Sequence, residues 1–255
     1  MIFTIDVGNT NIVLGYLDGT DVVGRSRIVT RRDGDAKPYV EDFHRSLREN
    51  HFTCHDVEGA ILSSVVPETD AALIAAVSEV FSCDCMTVQA GMRTDMTICI
   101  EQPETLGADI ITGCVGALAL YDAPVAVVDM GTATTVVVVD GNRNYLGGAI
   151  IPGVKLALDA LTAGTSLLPD LSDLTPKKCI ASLTEDAMLS GAVYGSAAML
   201  DGLVDRMERE LGEKLTVVAT GGLAGCIVPY CTRPIAYEPE LLLKGMGVLY
   251  EMNKN

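Results

Sequence analysis

Residues 1–19 read MIFTIDVGNTNIVLGYLDG, and residues 123–141 read APVAVVDMGTATTVVVVDG. In each stretch an apolar run ends at an aspartate, a turn of small and polar residues follows, and a second apolar run ends at Asp-Gly, which predicts a β-hairpin. The two aspartates, Asp6 and Asp129, lie 123 positions apart, close to half of the 255 residues. This spacing indicates an internal duplication.

Strands that run into small-residue turns also occur once in each half, at residues 60–66 with Ser63-Ser64 and at residues 217–224 with Gly221-Gly222. Apolar spacing at three and four residues, with caps at Thr69, Thr184 and Pro239, predicts helices. They are expected at about 40–49, 69–81, 105–120, 153–162, 185–211 and 239–252. We therefore expect two α/β domains, residues 1–118 and 119–255, that face each other across a cleft.

The composition is that of a core-forming chain, with 49% hydrophobic residues and a formal net charge of −16. Such an acidic protein repels phosphate backbones and anionic lipid, so we expect no nucleic acid partner. A small phosphate ligand is still allowed, because backbone amides and metal ions act locally while the net charge is an average.

Eight cysteines are scattered through apolar stretches, and the first residues form a strand pattern without a basic leader. We expect reduced thiols in a cytoplasmic protein. Cys54 with His55, Cys83 and Cys85 suggests a metal site, but small buried hydrophobic residues are the favoured interpretation. The most apolar run, residues 123–139, is too short to span a bilayer and predicts a buried hairpin, so we expect no membrane segment.

The two turns after Asp6 and Asp129 are suited to phosphate and a cation. A carboxylate can hold the cation, a glycine lets the backbone approach, and the next amides and hydroxyls can donate to phosphate oxygens. One turn of this kind alone is common for local reasons. Two at duplicated positions, with the later Thr220-Gly221-Gly222, suggest a nucleotide held between two domains.

Five motifs make a resemblance specific. They are IDVGNTNIVLG (residues 5–15), VVDMGTATT (127–135), LGGAIIPG (146–153), ATGGLA (219–224) and YEPELLLKGM (237–246). In this order and spacing they resemble the type III pantothenate kinase family over essentially the whole chain. The resemblance implies an α/β fold of the actin, Hsp70 and sugar kinase type, with duplicated ribonuclease H-like domains and a nucleotide cleft between them.

The resemblance also implies an activity, which is ATP-dependent phosphorylation of pantothenate to 4'-phosphopantothenate, the first step of coenzyme A biosynthesis. Its cofactors would be ATP, Mg²⁺ and a monovalent cation, K⁺ or NH₄⁺. Asp6 would act through Mg²⁺, Asp129 would hold the monovalent cation, and Thr132 would belong to the second phosphate turn. Gly221 and Gly222 would lie at the adenosine. The first phosphate loop would comprise Asp6, Val7, Gly8, Asn9, Thr10, Asn11, Ile12 and Val13.

On the substrate side, the matched segment makes Asp109 the general base that takes the proton of a primary hydroxyl. A carboxylate at a helix start, favoured by the dipole, is the alternative interpretation of this residue. Thr184 in the family reaches the substrate site of the partner subunit, which implies a homodimer. The matched substrate positions are Ile100, Gly107, Ala108, Asp109, Ile110 and Thr184.

Two positions depart from the family, which has Tyr at Ile100 and Arg at Ile110. Loss of a hydrogen bond to a charged group costs about 1.5 to 3 kcal/mol, so the acceptor is open to question. The chain is either a pantothenate kinase in which Arg93 or Lys155 replaces the lost arginine, or a divergent paralogue. Such a paralogue would phosphorylate another small hydroxyl compound or bind nucleotide without catalysis.

A local basic cluster near a strand end comprises Arg25, Arg27, Arg31 and Arg32. Its default interpretation is solvated surface, and a phosphate contact is the second option.

Overall fold

The computed structural model describes residues 1–171 and 173–254. They form two compact units. The first contains Met1–Met96, Glu101–Leu120 and the chain from residue 240 onward, and the second contains Thr97–Ile100 and Tyr121–Pro239. The division differs from the predicted domains of residues 1–118 and 119–255 mainly in the C-terminal segment, which joins the first unit.

The predicted strands and helices occur in the predicted order, and further elements lie between them. The strands are β1 Ile2–Val7, β2 Asn11–Asp18, β3 Asp21–Val29, β4 Gly59–Ser64, β5 Cys85–Thr87, β6 Thr97–Ile98, β7 Val125–Met130, β8 Ala133–Val139, β9 Asn144–Pro152, β10 Thr216–Thr220 and β11 Ala236–Tyr237. The helices are α1 Lys37–Glu49, α2 Asp70–Phe81, α3 Ala108–Leu120, α4 Val154–Ala163, α5 Thr184–Leu211, α6 Ala224–Ile227 and α7 Leu241–Asn253.

The two sheets share one plan, which confirms the duplication. In the first unit the order is β3-β2-β1-β4-β5, antiparallel from β3 to β1 and parallel from β1 to β5. In the second unit β9-β8-β7-β10-β11 repeats that pattern, and β6 adds a parallel strand beside β9. The predicted buried hairpin at residues 123–139 is therefore β7 and β8.

The first core lies on the face of the sheet covered by α1 and α2. Phe3, Ile5 and Val7 of β1 are buried there, and the Phe3 ring lies 5.1 Å from that of Phe43. Because side chains alternate along a strand, Thr4 and Asp6 point to the opposite face, which α3 and α7 cover.

Close packing of two helices places the C-terminal segment in the first unit. A Cβ on Gly245 of α7 would lie 2.0 Å from the Thr112 carbonyl oxygen of α3, and one on Gly116 would lie 2.5 Å from the Leu241 oxygen. Glycines at these two positions let the backbones of the helices come into contact. A domain boundary drawn near residue 118 from sequence does not show that α7 joins the first unit.

The second core is built on α5, whose buried residues include Val193, Ala197, Leu200 and Val204. By length and composition this 28-residue helix could cross a membrane, with an 18-residue window of mean hydropathy 1.3 that is 33% buried. The core helices of soluble proteins pass the same test. Here the helix packs against the second sheet.

Helix positions agree with the predictions within three residues, but two of the three caps were wrong. Thr184 is the first helical residue of α5, with Leu183 at the cap position, and Glu240 rather than Pro239 precedes α7. Thr69 does precede α2, although its hydroxyl donates to the Val66 carbonyl instead of capping the helix.

The cysteines are free, as expected, but their predicted burial was mostly wrong. Cys114 is buried, whereas Cys99, Cys179 and Cys226 are exposed and the other four are half-buried. In residues 1–171 and 173–254 no three His, Cys, Asp or Glu side chains come together to hold a metal ion. The metal-site interpretation of Cys54, Cys83 and Cys85 is therefore wrong for this part of the chain.

Candidate active site

The first turn, between β1 and β2, is narrow and is held by the third strand. The Gly8 amide donates to the Asn11 carbonyl oxygen at 3.0 Å, and a Cβ on Gly8 would lie 3.1 Å from that oxygen. The hydroxyl of Thr30 donates to the Gly8 carbonyl at 2.7 Å, and its amide donates to the Thr10 carbonyl at 3.2 Å. Asn9 and Thr10 are exposed at the tip, where a phosphate group can reach them.

Not every residue of the predicted loop offers its side chain. Val7 and Ile12 are 1% and 0% exposed and belong to the first core, so they can serve a ligand only through their backbone. Val13 is half-buried and lies opposite Asp6 in the β1–β2 register. The polar donors of this loop are therefore Asn9, Thr10 and Asn11.

A buried hydroxyl pair links β4, the strand next to that of Asp6, to the helix of Asp109. Asp6 is in register with Ser63 on the parallel strand β4, so their side chains share the face covered by α3. The Thr112 hydroxyl of α3 lies 3.3 Å from the Ser63 hydroxyl and donates to the Ala108 carbonyl at 2.7 Å. Asp6 and Asp109 are thus carried by packed elements of one unit. Neither Ser63 nor Thr112 was predicted as a site residue.

Asp109 stands at the start of α3, where its environment favours the protonated form. Burial raises the pKa of this carboxyl, and hydrogen bonds from the Ile110 amide at 2.8 Å and its own amide oppose that rise. A Cβ on Gly107 would lie 2.5 Å from Oδ1 of Asp109, so a larger residue at this position would force the carboxylate to move. A carboxylate with a raised pKa takes a proton more readily than an exposed one does.

The second turn, between β7 and β8, has a support that sequence reasoning missed. The Gly131 amide donates to the Ala133 carbonyl at 3.0 Å, and Thr132 is exposed. Gly153, at the end of the LGGAIIPG motif, donates its amide to the Thr132 carbonyl at 3.0 Å. A Cβ at Gly153 would lie 2.4 Å from the Gly131 and Thr132 oxygens, which explains the glycine in that motif.

Asp129 lies between two threonine side chains and close to the backbone of Gly221. It is in register with Thr135 on β8 and Thr220 on β10, so the three side chains share one face of the second sheet. A Cβ on Gly221 would lie 2.5 Å from Oδ1 of Asp129, and the φ of Gly221 is +94°. A Cβ on Gly222 meets nothing within 4 Å. Gly221 is therefore required by Asp129 and its own backbone, while Gly222 borders open space.

The donor sets at these two aspartates suit a cation shared with phosphate. Since no cluster of three acidic or imidazole side chains occurs in the described chain, a cation at either aspartate would have one carboxylate from that turn. Magnesium in phosphoryl-transfer sites is held in this manner, by one or two carboxylates together with phosphate oxygens and water. The residues present at Asp6 fit that requirement.

The remaining predicted substrate residues are divided between the units. Ala108 is buried and Ile110 is half-buried at the start of α3 in the first unit. Ile100 follows β6 in the second unit, where a Cβ on Gly147 would lie 3.6 Å from its Cγ2. Thr184 is exposed at the start of α5 and borders an apolar cavity of about 570 Å³ between α4, α5 and the ends of β8 and β9.

The two residues suggested as replacements for the lost arginine differ in their surroundings. Lys155 is paired with Asp159 at 2.6 Å and with Asp170 at 3.4 Å. The backbone of Arg93 exchanges two hydrogen bonds of 2.9 Å with the Asn253 side chain at the end of α7. Lys155 is therefore held by two carboxylates. The two hydrogen bonds of Arg93 to Asn253 involve its backbone and not its guanidinium.

Alanine substitutions at the two neighbouring glycines should differ in their effect on stability. Gly221→Ala should destabilise the protein by about 1 to 3 kcal/mol, because its φ is strained for alanine and the methyl group meets Asp129. Gly222→Ala, the matched control, should change stability by less than about 0.5 kcal/mol. Urea unfolding followed by circular dichroism measures both, and equal effects would contradict this account.

The chain was compared with known proteins. The model of the type III pantothenate kinase family matches residues 2–206. A type III pantothenate kinase of an Exiguobacterium species (strain AT1b) is 40% identical over 254 residues, covering 100% of both chains.

Two solved structures are similar in fold. A Campylobacter jejuni protein assigned to the Baf family of transcriptional activators has a TM-score of 0.60 and 20% identity, covering 98% of each chain. A Porphyromonas gingivalis protein assigned as an N-acetylglucosamine kinase has a TM-score of 0.53 and 12% identity, covering 100% of each chain. The fold is that of actin, Hsp70 and the sugar kinases, as predicted from the motifs. With a family model over most of its length and a full-length relative at this identity, the chain belongs to the type III pantothenate kinase family.

Proposed function

We propose that the protein transfers the γ-phosphoryl group of ATP to pantothenate, giving 4'-phosphopantothenate in the first step of coenzyme A biosynthesis. Membership of the type III pantothenate kinase family carries the proposal. The retained Asp109, with its raised pKa and its glycine neighbour, supports it. The enzyme would act in the cytoplasm, without nucleic acid or membrane as a partner.

In the proposed reaction Asp109 accepts the proton of the primary hydroxyl of the acceptor as the oxygen attacks the γ-phosphorus. The bond from that phosphorus to the β,γ-bridging oxygen breaks, and ADP leaves. Asn9 and Thr10, which are exposed in the first turn, orient the phosphates of ATP, and Thr132 is the exposed hydroxyl of the second phosphate turn. Phosphoryl transfer depends mostly on positioning and on stabilising charge, so these fixed donors matter more than covalent chemistry.

The proposal includes two cations. Asp6 would hold Mg²⁺ together with phosphate oxygens, and Asp129 would hold K⁺ or NH₄⁺ beside the hydroxyls of Thr135 and Thr220. When bound, such cations offset the negative charge on the transferring phosphates. Gly222 would border the adenosine, consistent with the open space next to it.

Asp109→Asn tests the base. We expect kcat to fall at least a hundredfold, the scale of a lost general base, with ATP binding nearly unchanged. In the wild type, activity should be lost as the pH falls through the pKa of Asp109. Because burial raises that pKa, the loss should begin at a higher pH than for an exposed aspartate. The exposed Glu104 provides the control Glu104→Gln, and retained turnover in Asp109→Asn would refute the assignment.

A second acceptor is the alternative, because the side chains of Ile100 and Ile110 have no hydrogen-bond donor for a carboxylate. The chain would then phosphorylate a less anionic hydroxyl compound, or bind nucleotide without catalysis. Retention of Asp6, Asp109 and Asp129 favours chemistry, since a module that only binds nucleotide has little use for an acid at the acceptor site.

Ile110→Arg separates the two acceptors. If pantothenate is the substrate, a restored guanidinium should raise kcat/KM for it about tenfold, the effect of one charge-assisted hydrogen bond. Ile110→Met is the matched control for size without charge. An unchanged rate would show that other residues have replaced the arginine. No turnover of pantothenate by either variant or by the wild type would favour the other acceptor.

We further propose that the active form is a homodimer formed over the α4–α5 cavity. The cavity is lined mainly by apolar side chains, including Leu158, Leu161 and Met188, and Thr184 stands at its border. Leu156 and Leu161 are 50% and 47% exposed. Exposed apolar surface of this kind marks an interaction site, and a second copy would bring Thr184 to the partner's substrate site.

Gly191→Glu tests the dimer. Gly191 lies on the cavity wall, and a Cβ there meets nothing within 4 Å, so the larger side chain fits the single chain. It should nevertheless block a second copy and shift the mass measured by light scattering from dimer to monomer. Gly202→Glu, on the same helix outside the cavity, is the control. A monomeric wild type would refute the dimer.

A further inference from the structure

The arginines of the basic cluster have different surroundings, although Arg31 and Arg32 are adjacent in sequence. The guanidinium of Arg31 pairs with the buried carboxylate of Asp42 and lies 5.5 Å from the centroid of the Tyr39 ring. The guanidinium of Arg32 is directed to the first turn, where Nη2 donates to Oδ1 of Asn9 at 2.8 Å. Arg31 therefore stabilises the first unit internally, while Arg32 reaches the predicted phosphate loop.

Hydrogen bonds on the preceding residues hold the backbone of Arg32 at that turn. Thr30 is bonded through its hydroxyl to Gly8 and through its amide to Thr10. The hydroxyl of the buried Tyr39 accepts from the Arg31 amide at 2.9 Å and donates to the Arg31 carbonyl at 2.7 Å. The position of Arg32 beside Asn9 thus follows from the fold of the segment and does not depend on the Arg32 side chain alone.

The second partner of Arg32 is one that a ligand can displace. Nη1 lies 3.1 Å from Oε1 of Glu68, and both side chains are about half exposed. Ion pairs this exposed contribute little to stability, because water and salt screen them. The ion pair with Glu68 therefore keeps the guanidinium near the turn but is weak enough to be exchanged for another anion.

A guanidinium at this place matches the chemistry of a phosphate. It is always charged, and its planar set of N–H donors binds two phosphate oxygens at once. The chain has a net charge of −16, so a polyphosphate approaching the first turn needs a local positive charge. Asn9 and Thr10 offer only uncharged donors there.

We propose that Arg32 binds the terminal phosphates of the nucleotide at the first turn, exchanging Glu68 for phosphate oxygens when the nucleotide arrives. The proposal rests on the proposed function, because it takes the loop from Gly8 to Asn11 as a phosphate site. It adds a positively charged binding residue that comes from the segment after β3 and lies outside the family motifs quoted above.

Calorimetric titration with ATP, ADP and adenosine tests the proposal on the full chain. Arg32→Gln should weaken ATP binding about tenfold, or about 1.4 kcal/mol, and leave adenosine binding unchanged. Arg32→Lys retains the charge but not the paired donors, so its ATP affinity should lie between those of the wild type and Arg32→Gln. In steady-state assays the KM for ATP should rise more than kcat falls.

Two further variants separate phosphate binding from a structural role. Arg48→Gln removes the same charge from the last turn of α1 and should leave ATP affinity unchanged. Arg48 lies close to Asn50, whose side chain accepts a hydrogen bond from the Arg25 amide in the middle of β3. Glu68→Gln removes the competing carboxylate and should bind ATP at least as tightly as the wild type. A tenfold loss in Glu68→Gln would show that the ion pair shapes the turn and would overturn the proposal.

The remaining outcomes are distinct. Equal losses of ATP and adenosine affinity in Arg32→Gln, or no loss of either, would overturn the role of Arg32 while leaving the kinase intact. A wild type that does not bind ATP would refute the proposed function itself. Thermal unfolding of each variant shows whether it is folded at the temperature of the titration.

Discussion

The alternation of side chains along β1 and β7 is the constraint on which both candidate turns depend. Along β1, Phe3, Ile5 and Val7 fill the core under α1 and α2, so Asp6 is forced to the opposite face. Along β7, Ala126, Val128 and Met130 join the second core, and Asp129 is again left on the other face. Burial of three apolar residues on one face of each strand fixes where each carboxylate stands, and the turn that follows it inherits that position.

Glycines let the backbone approach these carboxylates. Gly107 is close to Asp109, and Gly221 is close to Asp129, each with a virtual Cβ 2.5 Å from the carboxylate oxygen. Gly153 plays a similar part under the second turn, where two carbonyl oxygens leave no space for a side chain. These three glycines therefore serve the packing of the site itself, whereas Gly222 borders open space.

The cationic side chains considered for the site are held in different ways. Lys155 is paired with two carboxylates. Arg32, in contrast, is held at the first turn by an exposed ion pair that is easily exchanged. Salt screens charges, so each Lys or Arg side chain acts mainly on its immediate neighbours. For binding an anion in an acidic protein, the location of these side chains therefore matters more than their number.

The duplicated hairpins, the helix positions, the family and hence the fold could be predicted from sequence, because apolar periodicity and short turn motifs are local properties. The caps at Thr184 and Pro239 were misplaced, since a helix end is decided by hydrogen bonds that composition does not specify. Only the tertiary structure shows that α7 belongs to the first unit and that the Ser63 and Thr112 hydroxyls are in contact. It also shows that Arg31 pairs with Asp42 while Arg32 bonds to Asn9. Each of these contacts joins residues from different elements. Their partners are set by the packing of whole strands and helices, which no local stretch of sequence encodes.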